Sequence, residues 1–253
     1  MCHLTNFIGG YAIYKGKTVS GILLAAGSSS RMNININKVY ITLKTQQIRA
    51  LYYPLAAFGK NGYIDEIIIV IREEDRAELQ DMIIDEYPGK PVKITIGGDN
   101  RYDSVYNGLL KAAGDIVLIH DGARPLLKQR FISVCVEAMD KYPGAIVGVK
   151  NIDRICFVDE NDYVVELKSN GTVYRVQTPQ CFHAGILKEC HERVTDKRSV
   201  TDDSTLLEKC GYKVKMLPGD ATNIKITVPA DVFIAEHYIS LDKEILDLPA
   251  LKG

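Results

Sequence analysis

Residues 65–71 read Asp-Glu-Ile-Ile-Ile-Val-Ile, five branched apolar residues in a row behind two carboxylates. Successive side chains of a strand point to opposite faces, so a strand with one wet face alternates apolar and polar residues. An unbroken branched run marks a strand covered on both sides, as in a parallel sheet flanked by helices. Similar short apolar runs recur on either side of it, at residues 21–26 (GILLAA), 92–96 (VKITI), 115–120 (DIVLIH) and 145–149 (AIVGV).

Between these runs the spacing turns helical. Residues 46–58 carry Ile48, Leu51, Tyr52 and Leu55 at that period, residues 73–86 form a polar-faced helix, and another follows near 129–141. The stretch 100–113 is expected to turn Val105, Leu109 and Ala112 or Ala113 inward. After residue 149 the rhythm changes. Residues 152–158 and 163–167 flank Asp-Glu-Asn-Asp at 159–162, the pattern of a β-hairpin with a polar turn. It reads either as an arm packing on a second subunit or as an edge hairpin of the same one. The α/β rhythm resumes at 184–194, 203–210, 213–217 and 229–239. The expectation is an α/β fold, a Rossmann-like three-layer sandwich with a mostly parallel sheet and one inserted β-hairpin arm.

Lys and Arg total 31 against 32 Asp and Glu, a net charge of -1. That balance excludes the broadly basic surface that holds nucleic acid. With 46% hydrophobic and 25% charged residues the chain also lacks the composition of disorder. No apolar run approaches the roughly 18 residues of a membrane span, and residues 1–20 lack the pattern of a secretory leader. The cysteines at 2, 135, 156, 181, 190 and 210 form no CxxC pair, so reduced thiols in a cytoplasmic protein are expected.

Four clusters carry chemistry. After the first strand come Ala25, Ala26, Gly27, Ser28, Ser29, Ser30 and Arg31, with Lys38 shortly beyond. A small-residue turn at a strand end lets backbone N–H groups approach phosphate oxygens, and the two cations would neutralise a polyphosphate. Neither GxGxxG nor GxxxxGK[ST] is present; a Gly/Ser-rich turn with solvated cations is the plain alternative. Gly97, Gly98, Asp99 and Ser104 lie at a strand-to-helix junction, where they cap the helix or meet a flat base edge. His120, Asp121, Gly122, Ala123 and Arg124 follow the fourth strand. There Asp121 is placed to hold Mg²⁺ and Arg124 to bind a phosphate, or the two form a structural pair, with His120 read as a packed strand residue. Late in the chain, residues 177–180 (QTPQ) read as a turn and residues 223–227 (NIKIT) as a strand carrying Lys225. A lysine in an apolar strand calls for an anion, or its amine reaches to water.

Taken in order, LAAGSSSRM, GGDNRYDSVYNGL, HDGARP, QTPQ, TDD at 201–203 and NIKIT with Pro229 and Asp231 resemble the 2-C-methyl-D-erythritol 4-phosphate cytidylyltransferase family. The sister ribitol-5-phosphate cytidylyltransferases share most of these motifs. The resemblance spans about 21–239 and implies the nucleotide-diphospho-sugar transferase type of fold. It implies an Mg²⁺-dependent enzyme that moves CMP from CTP to a polyol phosphate and releases pyrophosphate. By the family pattern the turn of Ala25, Ala26, Gly27, Ser28, Ser29 and Ser30 wraps the triphosphate, and Arg31 and Lys38 stabilise the transition state. Gly98, Asp99 and Ser104 read cytosine, Ala123 also meets the CTP, and Asp121 ligates Mg²⁺. Arg124, Lys225, Thr178 and Lys168 face the acceptor. Methylerythritol phosphate is the expected acceptor and ribitol 5-phosphate or another polyol phosphate the alternative. A CTP-binding module without turnover is the reading from a different class. The family pattern also implies a homodimer built through the arm.

The chain departs from that pattern at named places. Asn37-Lys38-Val39 stands where Pro-Lys-Gln is common, and Ser29 replaces a glycine. Asn151 and Ile152 stand where the arm begins with Asp-Thr, unless Asp153 and Arg154 align there, and the arm arginine is replaced by Lys168 or Arg175. The changes gather on the acceptor side. The expected layout is an extension at 1–20, one domain at 21–240 with its arm at about 151–176, and a tail at 241–253.

Overall fold

Every residue from Ile67 to Ile71 is buried to zero exposure, which is what an isoleucine-rich strand inside a two-sided sheet requires. In the computed structural model, which describes residues 14–32, 36–86, 89–167, 172–196 and 200–248, this strand is β4 (Glu66–Ile71). Its neighbours are β1 (Val19–Leu24) and β5 (Val92–Ile96), both parallel to it. On the far side of β1 lies β6 (Ile116–Asp121), also parallel. The sheet continues through β10 (Tyr174–His183), β7 (Gly144–Lys150) and the edge strand β11 (Lys215–Pro218). Its order is β11-β7-β10-β6-β1-β4-β5, and β10 alone runs antiparallel to its neighbours.

Alternation along each strand divides the core. Leu23, Ile67, Ile69 and Leu118 face one layer; Ile22, Ile68, Val70, Val117 and Ile119 face the other. The first layer is completed by α1 (Tyr52–Lys60), α2 (Arg76–Glu86), α4 (Gln129–Ala138), α7 (Pro229–Leu241) and α8 (Lys243–Leu246). The second is completed by α3 (Arg101–Lys111), α5 (Ala184–Arg193) and α6 (Asp203–Lys209). The three-layer α/β expectation is met. Val105 and Leu109 point inward, Ala112 packs beside them, and Ala113 is exposed. The hairpin is present as β8 (Cys156–Val158) against β9 (Val164–Leu167). The cysteines at 135, 156, 181, 190 and 210 are free thiols, and Cys2 lies outside the described residues.

Three local expectations are corrected. The helix expected over 46–58 begins only at Tyr52, and Ile48 sits in β3 (Ile48–Arg49), paired with β2 (Thr42–Leu43). Pro54 explains the late start. It lacks an N–H and is tolerated in the first turn of a helix, whereas a start at 46 would place it in the interior. Residues 177–180 are not a turn but the middle of β10, with a cis Thr178–Pro179 bond and a register shift between Val176 and Gln180. The shift accommodates a proline that cannot donate to the ladder. Residues 223–227 are not a strand. They carry no ladder pairing: Ile224 N–H closes a tight turn on the Thr222 carbonyl, and Ile226 N–H is tied to the Ala123 carbonyl. The described part of the tail forms α8, with Ile245 and Leu248 buried against the first layer. No helix among the described residues is long and apolar enough to cross a membrane.

Candidate active site

Strand register decides where the site forms. Leu24, the last residue of β1, lies opposite Val70 on one side and Asp121 on the other. The chain builds β4 and β5 on one flank of β1 and then crosses to β6 on the other, so β1 and β6 meet at the point where strand order reverses. Ligands of open α/β sheets bind beyond the strand ends at such a point. A cleft of about 360 Å³ opens there.

Its first wall is the turn after β1. Ala25 is buried and donates its N–H to the Val70 carbonyl at 2.7 Å; it anchors the turn and does not line the cleft. Ala26, Gly27, Ser28, Ser29, Ser30 and Arg31 do line it. Lys38 faces the same space from a short 3-10 turn, and its side chain is largely buried. Burial pushes the Lys38 ammonium below its ordinary range, and the charges of Lys225 and Arg31 push the same way. A lysine held among cations and out of water is a site prepared for an anion.

The opposite wall is the β5–α3 junction. A β-carbon on Gly97 would lie 2.5 Å from the Ala26 side chain and 2.8 Å from the Ser104 hydroxyl, and one on Gly98 would lie 2.3 Å from Asp103 Cβ. The glycine pair therefore lets the two walls close on each other. Ser104 Oγ accepts the Gly98 N–H at 3.2 Å and donates to the Asn100 carbonyl at 2.9 Å, while Asn100 caps α3. Gly98, Asp99 and Ser104 all line the cleft.

Asp121 forms the floor. Lys225 Nζ lies 2.7 Å from its carboxylate, Arg101 Nε 3.7 Å and Arg124 Nε 3.8 Å. Burial favours the protonated acid, but these three cations outweigh it and hold the carboxyl well below the usual carboxylate range. Asn37, Arg101, Ala123 and Lys225 also line the cleft. Arg124 and Thr178 stand behind the floor: Arg124 donates to the Asn223 carbonyl at 2.7 Å, and Thr178 Oγ1 accepts the Asp121 N–H at 3.1 Å. Arg175 is exposed on β10, Ile152 is 92% exposed, and Lys168 lies outside the described residues.

Sequence reasoning missed Arg101, Asn37 and Asp203. Arg101 lines the cleft and pairs with the buried Asp203 at 2.8 Å. The signal was present in GGDNR, where a cation opens a helix beside the glycine pair. Among the described residues no group of three or more His, Cys, Asp or Glu side chains forms a metal cage. One ionised carboxylate in a phosphate-sized cleft nonetheless fits Mg²⁺, which commonly takes one or two protein carboxylates and completes its shell with substrate phosphates and water.

The family model of 2-C-methyl-D-erythritol 4-phosphate cytidylyltransferase (IspD) matches residues 19–241, from the first residue of β1 to the last of α7. The chain belongs to this family. The 2-C-methyl-D-erythritol 4-phosphate cytidylyltransferase of Caldanaerobacter subterraneus is 39% identical over 225 residues, covering 87% of this chain and 98% of that protein. The protein of the same name from Clostridium beijerinckii is 40% identical over 223 residues, with the same coverage. Among solved structures, the 4-diphosphocytidyl-2C-methyl-D-erythritol synthase of Anaerococcus prevotii superposes with a TM-score of 0.79 at 29% identity, covering 89% of this chain and 97% of that one. The Thermus thermophilus 2-C-methyl-D-erythritol 4-phosphate cytidylyltransferase gives 0.69 at 27% identity, over 88% and 99%. As a cytidylyltransferase of this family the chain is a nucleotidyltransferase enzyme, and its cleft lies between the motifs that carried the resemblance.

Proposed function

We propose that this cytidylyltransferase transfers CMP from CTP to 2-C-methyl-D-erythritol 4-phosphate and releases pyrophosphate. The observation that carries the reading is the convergence of Arg31, Lys38, Asp121 and Lys225 on one cleft at the strand-order reversal. An oxygen of the acceptor phosphate attacks the α-phosphorus of CTP, and the bond from that phosphorus to the bridging oxygen of pyrophosphate breaks. Such a transfer asks the protein for positioning and charge stabilisation rather than covalent chemistry. The turn at 26–30, anchored by Ala25, wraps the triphosphate through its N–H groups and the hydroxyls of Ser28 and Ser30. Lys38 and Arg31 take up the charge that develops on the phosphoryl oxygens. Gly98, Asp99 and Ser104 read cytosine, the small residues leaving no room for a purine. Asp121 would hold Mg²⁺, which supplies charge neutralisation to the phosphates when bound. Lys225 orients the acceptor phosphate, with Arg124 adding positive charge from behind the floor and Thr178 fixing the floor's backbone.

The arm argues for a homodimer, and the cytoplasm is the compartment proposed for it. Phe157, Val158, Tyr163, Val164 and Val165 are all exposed on the hairpin, apolar side chains on both of its faces that a second copy would cover. A coupled pyrophosphate-release assay with CTP, Mg²⁺ and each candidate acceptor tests the function. Turnover is expected with methylerythritol phosphate and little with ribitol 5-phosphate, and Lys38→Ala and Arg31→Ala should each lower kcat by about 100-fold or more. Silence with every polyol phosphate would remove the enzymatic reading.

A further inference from the structure

Lys38 owes its place to a clasp of side chains that extends beyond the cleft. Asn37 is 2% exposed and engages its amide at both ends. Its Nδ2 donates to the Ala25 carbonyl at 2.7 Å and to Asp75 Oδ2 at 2.8 Å. Its Oδ1 accepts from the Ser29 hydroxyl at 3.1 Å. The Ser29 oxygen accepts in turn from the main-chain N–H of Lys38 at 2.9 Å. With two pure acceptors on one side and a hydroxyl on the other, the amide has a single consistent orientation.

The far end of the chain is just as firmly held. Asp75, 7% exposed, closes the 3-10 turn Glu73–Asp75 beyond β4 and does not line the cleft. Arg72 grips it through both carboxylate oxygens, at 2.8 and 2.6 Å. Ser29 sits at φ +56°, in the left-handed region that a β-carbon disfavours. A non-glycine residue keeps such a conformation when its surroundings over-determine it. Here the hydroxyl is bonded on both sides.

We propose that Arg72, Asp75, Asn37 and Ser29 form a positioning chain that sets the backbone of Lys38 against the phosphate-facing turn, so that Arg72 and Asp75, which lie outside the cleft, govern turnover through Asn37 and Ser29 at its wall. The inference rests on the role given to Lys38 above. Asp75 and Asn37 are positioning residues, acting on the reaction through the placement of Lys38. Misplacement of a catalytic group by about 1 Å costs on the order of 100-fold in rate. Asn37→Ala and Asp75→Ala are therefore expected to lower kcat by about 10- to 100-fold while KM for the acceptor stays within about threefold.

A double-mutant test separates positioning from general support of the fold. If the chain works through Lys38, adding Asn37→Ala or Asp75→Ala to Lys38→Ala costs less than about twofold in residual turnover. Ser29→Ala serves as an independent break in the chain should either of the other variants fold poorly. Single variants that turn over within about twofold of the parent enzyme, while Lys38→Ala is impaired, overturn the inference. So does a full multiplicative loss in the double variants. A parent protein inactive with every acceptor defeats the functional reading instead. In that event acetylation of Lys38 by acetic anhydride, followed by mass spectrometry, still reads the chain. Labelling several times faster in Asn37→Ala supports it, and equal labelling overturns it.

Discussion

His120 lies directly before Asp121 and is completely buried. Its Nε2 faces the Arg124 carbonyl at 3.1 Å and its Nδ1 the Thr178 hydroxyl at 2.9 Å. A carbonyl only accepts, so Nε2 carries the proton and Nδ1 accepts from Thr178; the ring is neutral. Burial pushes its pKa down to about 4. The unfolded chain, with an ordinary value near 6.5, therefore binds a proton that the folded one refuses between about pH 6.5 and 4. Stability falls as pH drops through that window, by on the order of 3 kcal/mol, and levels off below it. Urea unfolding across this range, compared with His120→Asn, checks the sign; parallel curves would acquit His120. Residue type and position made His120 readable as a packed strand residue, and marked Lys38, Asp121 and Lys225, which the fold brings to one cleft. Asn37 escaped because its meaning lies in Asp75, 38 positions away, and Arg101 because its partner Asp203 is supplied by α6. A single sequence displays charges, but not which distant charge each one meets.

Elements were legible in proportion to how strongly their pattern excluded alternatives. The isoleucines of β4 allow only a strand buried on both faces. Ile224 and Ile226 alternate with polar residues as in a half-buried strand, yet that stretch is irregular chain clamped by other groups: Asn223 donates to the Thr178 carbonyl, and Arg124 to the Asn223 carbonyl. Period-2 patterning over five residues reports alternating burial and cannot say whether a ladder partner exists. The β5–α3 junction carries a prediction of its own. Gly97→Ala forces a carbon to 2.5 Å from the Ala26 side chain, and overpacking of that kind typically costs about 1–3 kcal/mol. Because the strain falls between the two walls, CTP affinity should drop by more than global stability does. Calorimetric titration with CTP beside a thermal melt measures both; unchanged affinity would show that the walls do not meet through Gly97.

For the molecule as a whole, topology followed from alternating strands and helices, and the arm from its polar turn, but quaternary structure was beyond reach of pattern alone. Light scattering is expected to give twice the 28.2 kDa chain mass, and Val165→Glu, at an exposed arm position, should shift it toward the monomer. A parent protein of single-chain mass would refute the arm-mediated dimer. Strand β10 would give such an assembly a mechanical meaning. One length of backbone runs from the core at Phe182 to the root of the arm at Tyr174. Midway along it, Thr178 takes the N–H of Asp121, and Gln177 donates to the carbonyls of Asp220 and Asn223, which frame the Lys225 segment. The strand is thus a tie-rod by connection: one backbone joins the arm to the floor carboxylate and to the segment carrying the lysine that faces it. A partner gripping the arm would hold both through a single strand.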